Sequence, residues 1–148
     1  MPRLKRSEES GKYIDTLRIS DAEWRQLAND LDREAADANY AAEREFERVP
    51  YRNMVQAVCE IDHPGGNRVR FVVRTRDLSA SGVGFFHGQY LHVGSRCSMF
   101  LTCANKGPQR LTGTVRRCEY ITGRIHQIGI EFDQLIEPSD YLLYGGDP

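Results

Sequence analysis

The sequence predicts a mainly β protein with some α structure: a six-stranded antiparallel β-barrel, preceded by a long N-terminal helix and followed by a short C-terminal helical turn. Apolar residues before position 50 recur at helical spacing, whereas apolar and polar residues alternate after it. Turns that contain glycine separate the alternating segments. With 148 residues, the chain suffices for one domain and an appendage.

The predicted helix begins at a capping box. Ser20 and Glu23 have the spacing at which a hydroxyl and a carboxylate satisfy the first amides of a helix. An apolar stripe rich in alanine follows at spacings of three and four: Trp24, Leu27, Leu31, Ala35, Ala38, Ala42 and Phe46. It predicts about seven turns, closed by Pro50. The stripe suits docking on the barrel or pairing with a second copy in a homodimer.

Six short segments read as strands. In the first, Val55, Ala57, Cys59 and Ile61 share one face, and in the second, Val69, Phe71, Val73 and Thr75 do so. The second strand carries Arg68, Arg70, Arg74 and Arg76 on its other face, where we expect them to be solvated. The remaining strands are predicted at 83–87, 96–104, 110–119 and 124–132, and helical turns at 137–144. Barrel closure removes exposed strand edges.

The cysteine and histidine spacings do not predict a metal site. Cys59, Cys97, Cys103 and Cys118 form no CxxC pair, and we expect them to be buried as small reduced hydrophobes. The four histidines also lack ligand spacing and are interpreted as turn or surface residues: His63, His87, His92 and His126.

The net charge of −1 is unevenly distributed. Residues 20–47 carry nine acids and three bases, whereas residues 48–148 carry twelve bases and nine acids. The C-terminal part is therefore suited to attract an anion, but its excess is too dispersed to predict nucleic-acid binding. We expect no membrane span, no secretory signal and a cytoplasmic location.

Two local motifs carry the functional prediction. Arg44 and Arg48 form an RxxxR pattern before the first strand, and residues 77–82 form a DxSxxG pattern after the second. Chance alone gives about two RxxxR matches in so arginine-rich a chain, and Arg48 with Arg52 also matches. The DxSxxG pattern is much rarer by chance. The order and context of the two motifs make their combination a stronger indication than either motif alone.

In these motifs the sequence resembles the PilZ family, over roughly residues 43–133. The resemblance extends to Val83-Gly84-Phe85 and to the closing Gln127-Ile128-Gly129-Ile130-Glu131-Phe132. It implies a six-stranded barrel that binds cyclic di-GMP and has no catalytic residues. The predicted divisions are a tail and helix at 1–42, the barrel at 43–136, and a helical tail at 137–148. Many members have a doubled arginine where this chain has Glu43-Arg44, which bears on affinity rather than on the binding mode.

The chemistry of the motif residues agrees with that implication. Arginine can clamp a phosphate, pair with guanine or stack on a purine, which suits Arg44 and Arg48. Asp77 can accept from N1 and N2 of guanine, and Ser79 offers a hydroxyl. Gly82 would let the backbone approach the ligand closely or take a positive φ. Arg52 and Arg76 are additional candidates.

Two function classes stay open. The first is a cyclic di-GMP receptor, with no cofactor or metal, that signals to an unidentified downstream protein by rearranging its N-terminal arginine segment. The alternative is a degenerate adaptor that binds no nucleotide and acts through protein contacts, with the arginines as solvated helix partners. Catalysis is not predicted, because the sequence has no nucleophile motif and no phosphate-binding GxxxxGK[ST] loop.

Overall fold

The computed structural model describes residues 17, 19–37, 46–51, 57–62 and 65–142. These residues form one α-helix, seven strands and one short 3-10 helix. In chain order they are α1 (Asp21–Asp37), β1 (Val49–Pro50), β2 (Ala57–Asp62), β3 (Arg68–Ser79), β4 (Gly82–His87), β5 (Arg96–Cys103), β6 (Gly107–Thr122), β7 (Ile125–Phe132) and the 3-10 helix Pro138–Asp140. The strands form one antiparallel sheet in the order β1-β3-β2-β5-β6-β7-β4. Because β4 also pairs with β3, six strands close into a barrel and β1 lies outside it, so the predicted fold class is confirmed.

The barrel interior holds the main hydrophobic core. Alternate residues of each strand point inward, as the period-two pattern predicted. Cys59, Cys97 and Cys103 are buried there, as expected, whereas Cys118 is only partly buried. A hydrogen bond with Cys97 and burial raise the pKa of the Cys59 thiol. Tyr141, just after the 3-10 helix, also packs against this core, so the C-terminal turn is part of the barrel's packing.

Helix α1 begins at the predicted capping box. The Ser20 amide donates to Glu23 Oε1 at 2.9 Å, and the Glu23 amide donates to Ser20 Oγ at 3.1 Å. The predicted extent was too long, because Phe46 lies in a bend and not in a helix, and Pro50 belongs to β1. Ala38 and Ala42 of the predicted apolar stripe lie outside the described residues.

A second, smaller hydrophobic cluster joins α1 to the outside of the barrel. Trp24 is only 2% exposed and packs with Ala28 and Phe86, and Leu27, Leu31 and Ile125 pack around them. The Trp24 indole also donates to the carbonyl of Thr75 at 2.7 Å. In the structure the stripe therefore packs on the barrel, which is one of its two predicted roles.

The interpretation of Arg74 and Arg76 as solvated residues was wrong. Arg74 pairs with Asp21 at 2.7 Å, and Arg76, whose side chain is 9% exposed, pairs with Asp32 at 3.1 Å. Both carboxylates belong to α1, so this face of β3 is covered by the helix. The pattern of a single strand does not reveal which part of its polar face another element will cover.

The surface assignment of the histidines also needs a correction. His87 is buried, and its ring stacks on Phe71 with centroids 4.1 Å apart. His92 is exposed, His126 is partly buried, and His63 lies outside the described residues. Within the described ranges, no three His, Cys, Asp or Glu side chains are grouped to hold a metal ion. Nor is any helix in this part of the chain long and apolar enough to cross a membrane.

Candidate ligand-binding site

The short strand β1 brings the first motif to the second. Val49 pairs with Leu78 and Pro50 with Asp77, and the amide of Tyr51 donates to the carbonyl of Arg76 at 2.9 Å. The residue that precedes β1 is therefore held beside the end of β3. Arg48 Nη1 lies 3.1 Å from Asp77 Oδ1, and the two side chains are 26% and 12% exposed. This charge-assisted contact joins one residue of each predicted motif.

A β-bulge determines where Asp77 points. Thr75 pairs with Phe85 of β4, and Asp77 pairs with Gly84, which leaves Arg76 as the extra residue of β3. The neighbours Val83 and Phe85 point into the core, so Gly84 and the carboxylate beside it lie on the outer face. A Cβ at position 84 would lie 2.4 Å from Asp77 Oδ1. Gly84 is thus required by the Asp77 rotamer, a role that the sequence analysis did not assign.

The turn between β3 and β4 presents the rest of the second motif. Ser79 Oγ accepts from the amide of Ser81 at 3.2 Å, which is a side-chain-capped turn. Gly82 is needed for close approach, because a Cβ there would lie 2.2 Å from the carbonyl oxygen of Ile130. It is not among the glycines with positive φ, so that predicted reason does not apply, and the close approach of its backbone to a ligand stays a prediction.

A cleft of about 410 Å³ opens next to these residues. Arg48, Ser79 and Ser81 lie on one side, the segment 131–135 on the other, and Phe46 completes the lining. The amide of Phe132 donates to the carbonyl of Ser81 at 2.8 Å, and the amide of Ile136 donates to that of Ala80 at 2.9 Å. These bonds fix the segment after β7 to the motif turn. Sequence reasoning did not assign this second wall, because only the barrel closure brings β7 beside the turn.

Both carboxylates of that wall are neutralised by arginines. Glu131 accepts from Arg116 Nε at 2.6 Å. Asp133 accepts from both terminal nitrogens of Arg96, at 2.9 and 2.5 Å, and from Thr112 Oγ1 at 2.7 Å. The hydrogen bonds from Arg96, which have the larger effect, and from Thr112 lower the pKa of Asp133 to about 2. The wall therefore does not present unpaired negative charge to an anionic ligand.

The structure brings together four of the seven predicted site residues: Arg48, Asp77, Ser79 and Gly82. Arg44 and Arg52 lie outside the described residues. Arg76 is turned away from the cleft, because its guanidinium is bonded to Asp32 of α1 and to the side chain of Gln127. The chain arranges a partly buried cation, a carboxylate and two hydroxyls beside a polar cleft whose volume is in the range of small-molecule sites.

Comparison with known proteins gives a family match and several remote structural matches. The model of the PilZ domain family matches residues 42–143. The PilZ domain with c-di-GMP of YcgR from Escherichia coli is 16% identical, with a TM-score of 0.46, over 67% of this chain and 83% of that one. The MrkH-c-di-GMP complex of K. pneumonia is 18% identical, with a TM-score of 0.47, over 67% and 47% of the two chains.

The inhibitor of motility MotI/DgrA of Bacillus subtilis is 14% identical, with a TM-score of 0.44, over 69% of this chain and 49% of that one. The chain thus spans about half the length of the MrkH and MotI chains that it matches. No curated protein matches the sequence.

Proposed function

The chain belongs to the PilZ domain family, and we propose that it is a receptor that binds cyclic di-GMP through Arg44, Arg48, Asp77, Ser79 and Gly82. The observation that carries the proposal is the ion pair between Arg48 and Asp77 beside a polar cleft. It joins the two motifs, which are 29 residues apart in the sequence. An isolated solvated arginine, the competing interpretation, does not account for this pairing.

Each proposed contact follows from the donors and acceptors of the ligand. A carboxylate accepts at both oxygens, so the bond from Arg48 to Oδ1 leaves Asp77 able to accept from N1 and N2 of guanine. Arg48 has five N–H donors, of which this pair engages one, and the others suit a phosphate or the O6 and N7 of guanine. Ser79 and the close backbone at Gly82 complete the surface on the motif side.

Signalling in this proposal proceeds from the arginine segment to α1. Arg48 is already held on the barrel by Asp77, and Arg44 lies between α1 and β1 in the sequence. A ligand that draws Arg44 toward Arg48 therefore pulls on the chain after the helix. The same region holds the helix directly, since Arg76 neighbours Asp77 and pairs with Asp32 of α1. A changed position of α1 is then what a downstream protein would detect.

The first experiment is calorimetric titration of the protein with cyclic di-GMP and, separately, with cyclic di-AMP. We expect binding of the guanine ligand alone, because adenine lacks the N1 and N2 donors that Asp77 would accept. Heats of comparable size from both nucleotides would contradict the base recognition. The absence of heat from either would favour the adaptor alternative.

The second experiment identifies the working arginine pair. We expect Arg44→Ala and Arg48→Ala each to weaken binding by roughly tenfold to over a hundredfold, as the loss of a charge-assisted contact implies. Arg52→Ala should have a much smaller effect. If Arg52→Ala abolishes binding and Arg44→Ala does not, the working pair is Arg48 with Arg52. Circular dichroism confirms beforehand that each variant folds.

A further inference from the structure

Beyond the two motifs, we propose that Arg117 of β6 is a further arginine that contacts the nucleotide, through one of its phosphates. The inference rests on the proposed function. Arg117 lies 40 positions after Asp77 and in no motif, so no local sequence pattern indicates it.

Arg117 lies in the same cross-strand row as Asp77. Asp77 of β3 pairs with Gly84 of β4, Gly84 with Gly129 of β7, and Gly129 with Arg117 of β6. The row is on the outer face, because the neighbours of its two glycines, such as Phe85 and Ile128, point into the core. It covers three inter-strand steps of about 4.8 Å, or about 14 Å in all. One ligand on this face can therefore reach both ends of the row.

Gly84 and Gly129 contribute no side chains of their own to the surface between Asp77 and Arg117. Asp77 reaches over Gly84, as its Oδ1 position shows, and Arg117 reaches over Gly129 from the other side. A Cβ at position 129 would lie 3.4 Å from Arg117 Cβ, 3.6 Å from its Nε and 3.9 Å from its Nη2. The guanidinium thus lies close against the sheet and is directed toward the end of the row that carries Asp77.

Arg117 also differs from the other arginines around the site in its hydrogen bonding. Four of these, Arg48, Arg76, Arg96 and Arg116, donate to a carboxylate within 3.2 Å. The nearest carboxylate to Arg117 in the described part of the chain is that of Glu119, at 3.8 Å from Nε, which is an ion-pair distance but too long for a hydrogen bond. Arg117 Nε is buried and has no hydrogen-bond partner there, while the side chain as a whole is 36% exposed.

A phosphate is the ligand group that suits such a guanidinium. Buried donors without partners are costly, and an anionic phosphate supplies strong acceptors in the fork geometry of arginine. With Arg48 at one end of the row and Arg117 at the other, the site has a cation for each side of a ligand that carries two phosphates. Asp77 between them is left to accept from a guanine.

The test is calorimetric titration of the full chain and its Arg117→Ala variant with cyclic di-GMP, with Arg124→Ala as the matched control. Arg124 is an exposed arginine of the β6–β7 turn, so its loss removes the same charge from the surface away from the row. We expect Arg117→Ala to bind roughly tenfold to over a hundredfold more weakly and Arg124→Ala to bind like the parent. Arg117→Lys, which keeps the charge and loses the fork, should lie between Arg117→Ala and the parent.

A ligand contact and a structural role predict different results for the unliganded protein. If Arg117 acts on the ligand, the melting temperature of Arg117→Ala without nucleotide stays close to that of the parent. Affinity within twofold of the parent, or a loss matched by Arg124→Ala, would overturn the inference while leaving the receptor proposal intact. If the parent itself does not bind, the receptor proposal fails first and the role of Arg117 fails with it.

Discussion

Single residues of the site are constrained by their cross-strand neighbours. Asp77 can lie over β4 only because position 84 has no Cβ, and the motif turn can approach β7 only because position 82 has none. The charged groups are constrained in the same way, since Asp133 has its two oxygens held by Arg96 and Thr112. A substitution at one of these positions is therefore expected to act by displacing or unpairing the neighbouring group that the structure identifies.

Gly84→Ala is predicted to weaken binding of cyclic di-GMP by about tenfold or more, because the new methyl group displaces the Asp77 carboxylate. Calorimetry measures the affinity. A double-mutant cycle with Asp77→Ala provides the control, since the effect of Gly84→Ala should disappear when the carboxylate is already absent. An undiminished effect in the Asp77→Ala background would mean that Gly84 acts by another route.

Asp133 is predicted to remain ionised until the pH falls to about 2. Its pKa is lower in the folded than in the unfolded chain, so its ion pair stabilises the fold above the unfolded value near 3.8 and loses that effect as the pH falls through about 2. Carboxyl carbon NMR titration measures this pKa. Arg96→Gln should raise it toward the ordinary range, and Thr112→Val should raise it less. A pKa unchanged by Arg96→Gln would contradict the assigned cause.

At the scale of elements, α1 and β4 bury each other's apolar residues, which explains why both carry apolar residues on the faces that meet. Strand β4 is buried along its whole length, because the core lies on one face and α1 covers Phe86 on the other. The helix is held by apolar packing at Trp24 and by ion pairs at Asp21 and Asp32. The carboxylates of both pairs are open to solvent, with side chains 52% and 39% exposed, and such pairs contribute little. The packing of Trp24 therefore provides most of the stabilisation.

Trp24→Ala is predicted to lower the free energy of unfolding by about 3 kcal/mol, and Trp24→Phe by about 1 kcal/mol. The first removes the packing and the second chiefly the hydrogen bond to Thr75. Chemical denaturation followed by circular dichroism measures both, since Trp24 is the only tryptophan and fluorescence is lost with it. Equal losses in the two variants would assign the stabilisation to the hydrogen bond alone.

In the molecule as a whole, the candidate site and the helix lie on neighbouring parts of one barrel wall. The row Asp77, Gly84, Gly129 and Arg117 lies on the outer face, where Arg117 is partly exposed and the other three are buried. The next row, which contains Arg74, Phe86 and Gln127, includes the contacts with α1. Arg76 in the bulge lies between them in the sequence and contacts the helix. The row proposed to contact the nucleotide and the row that contacts α1 are thus two residues apart along β4 and β7.

Deletion of residues 1–38 is predicted to leave a folded barrel with an exposed apolar patch at Phe86 and Ile125. Increased binding of a hydrophobic dye and a melting temperature lower by roughly 10 °C are the expected results. Far-UV circular dichroism should keep its β signal, because the barrel core does not include α1. Unchanged dye binding and melting temperature would show that α1 contributes nothing to the barrel's stability. Solution mass, measured alongside, tests the homodimer alternative.

The sequence by itself determined the strand order along the chain, the capping box and the two motifs. These features depend on neighbours within a few residues, which is why the period-two pattern predicted six of the seven strands, and why Ser20 and Glu23 marked the start of α1. It missed β1, because two residues that include a proline carry no strand pattern and pair only through the end of β3. It also extended α1 to Phe46, since alanine spacing alone does not mark where a helix ends.

Only the tertiary structure decided which polar residues face the cleft and its surroundings and which face the helix. Arg76 and Asp77 are adjacent in the sequence, yet the bulge and the bond from Tyr51 direct one to α1 and the other to Arg48. The requirement for Gly84 arises from the register that the bulge sets between β3 and β4. The second wall of the cleft and the position of Arg117 arise from pairings between strands far apart in the chain. Such contacts depend on barrel closure, and a local pattern contains no information about the residue that closure brings opposite.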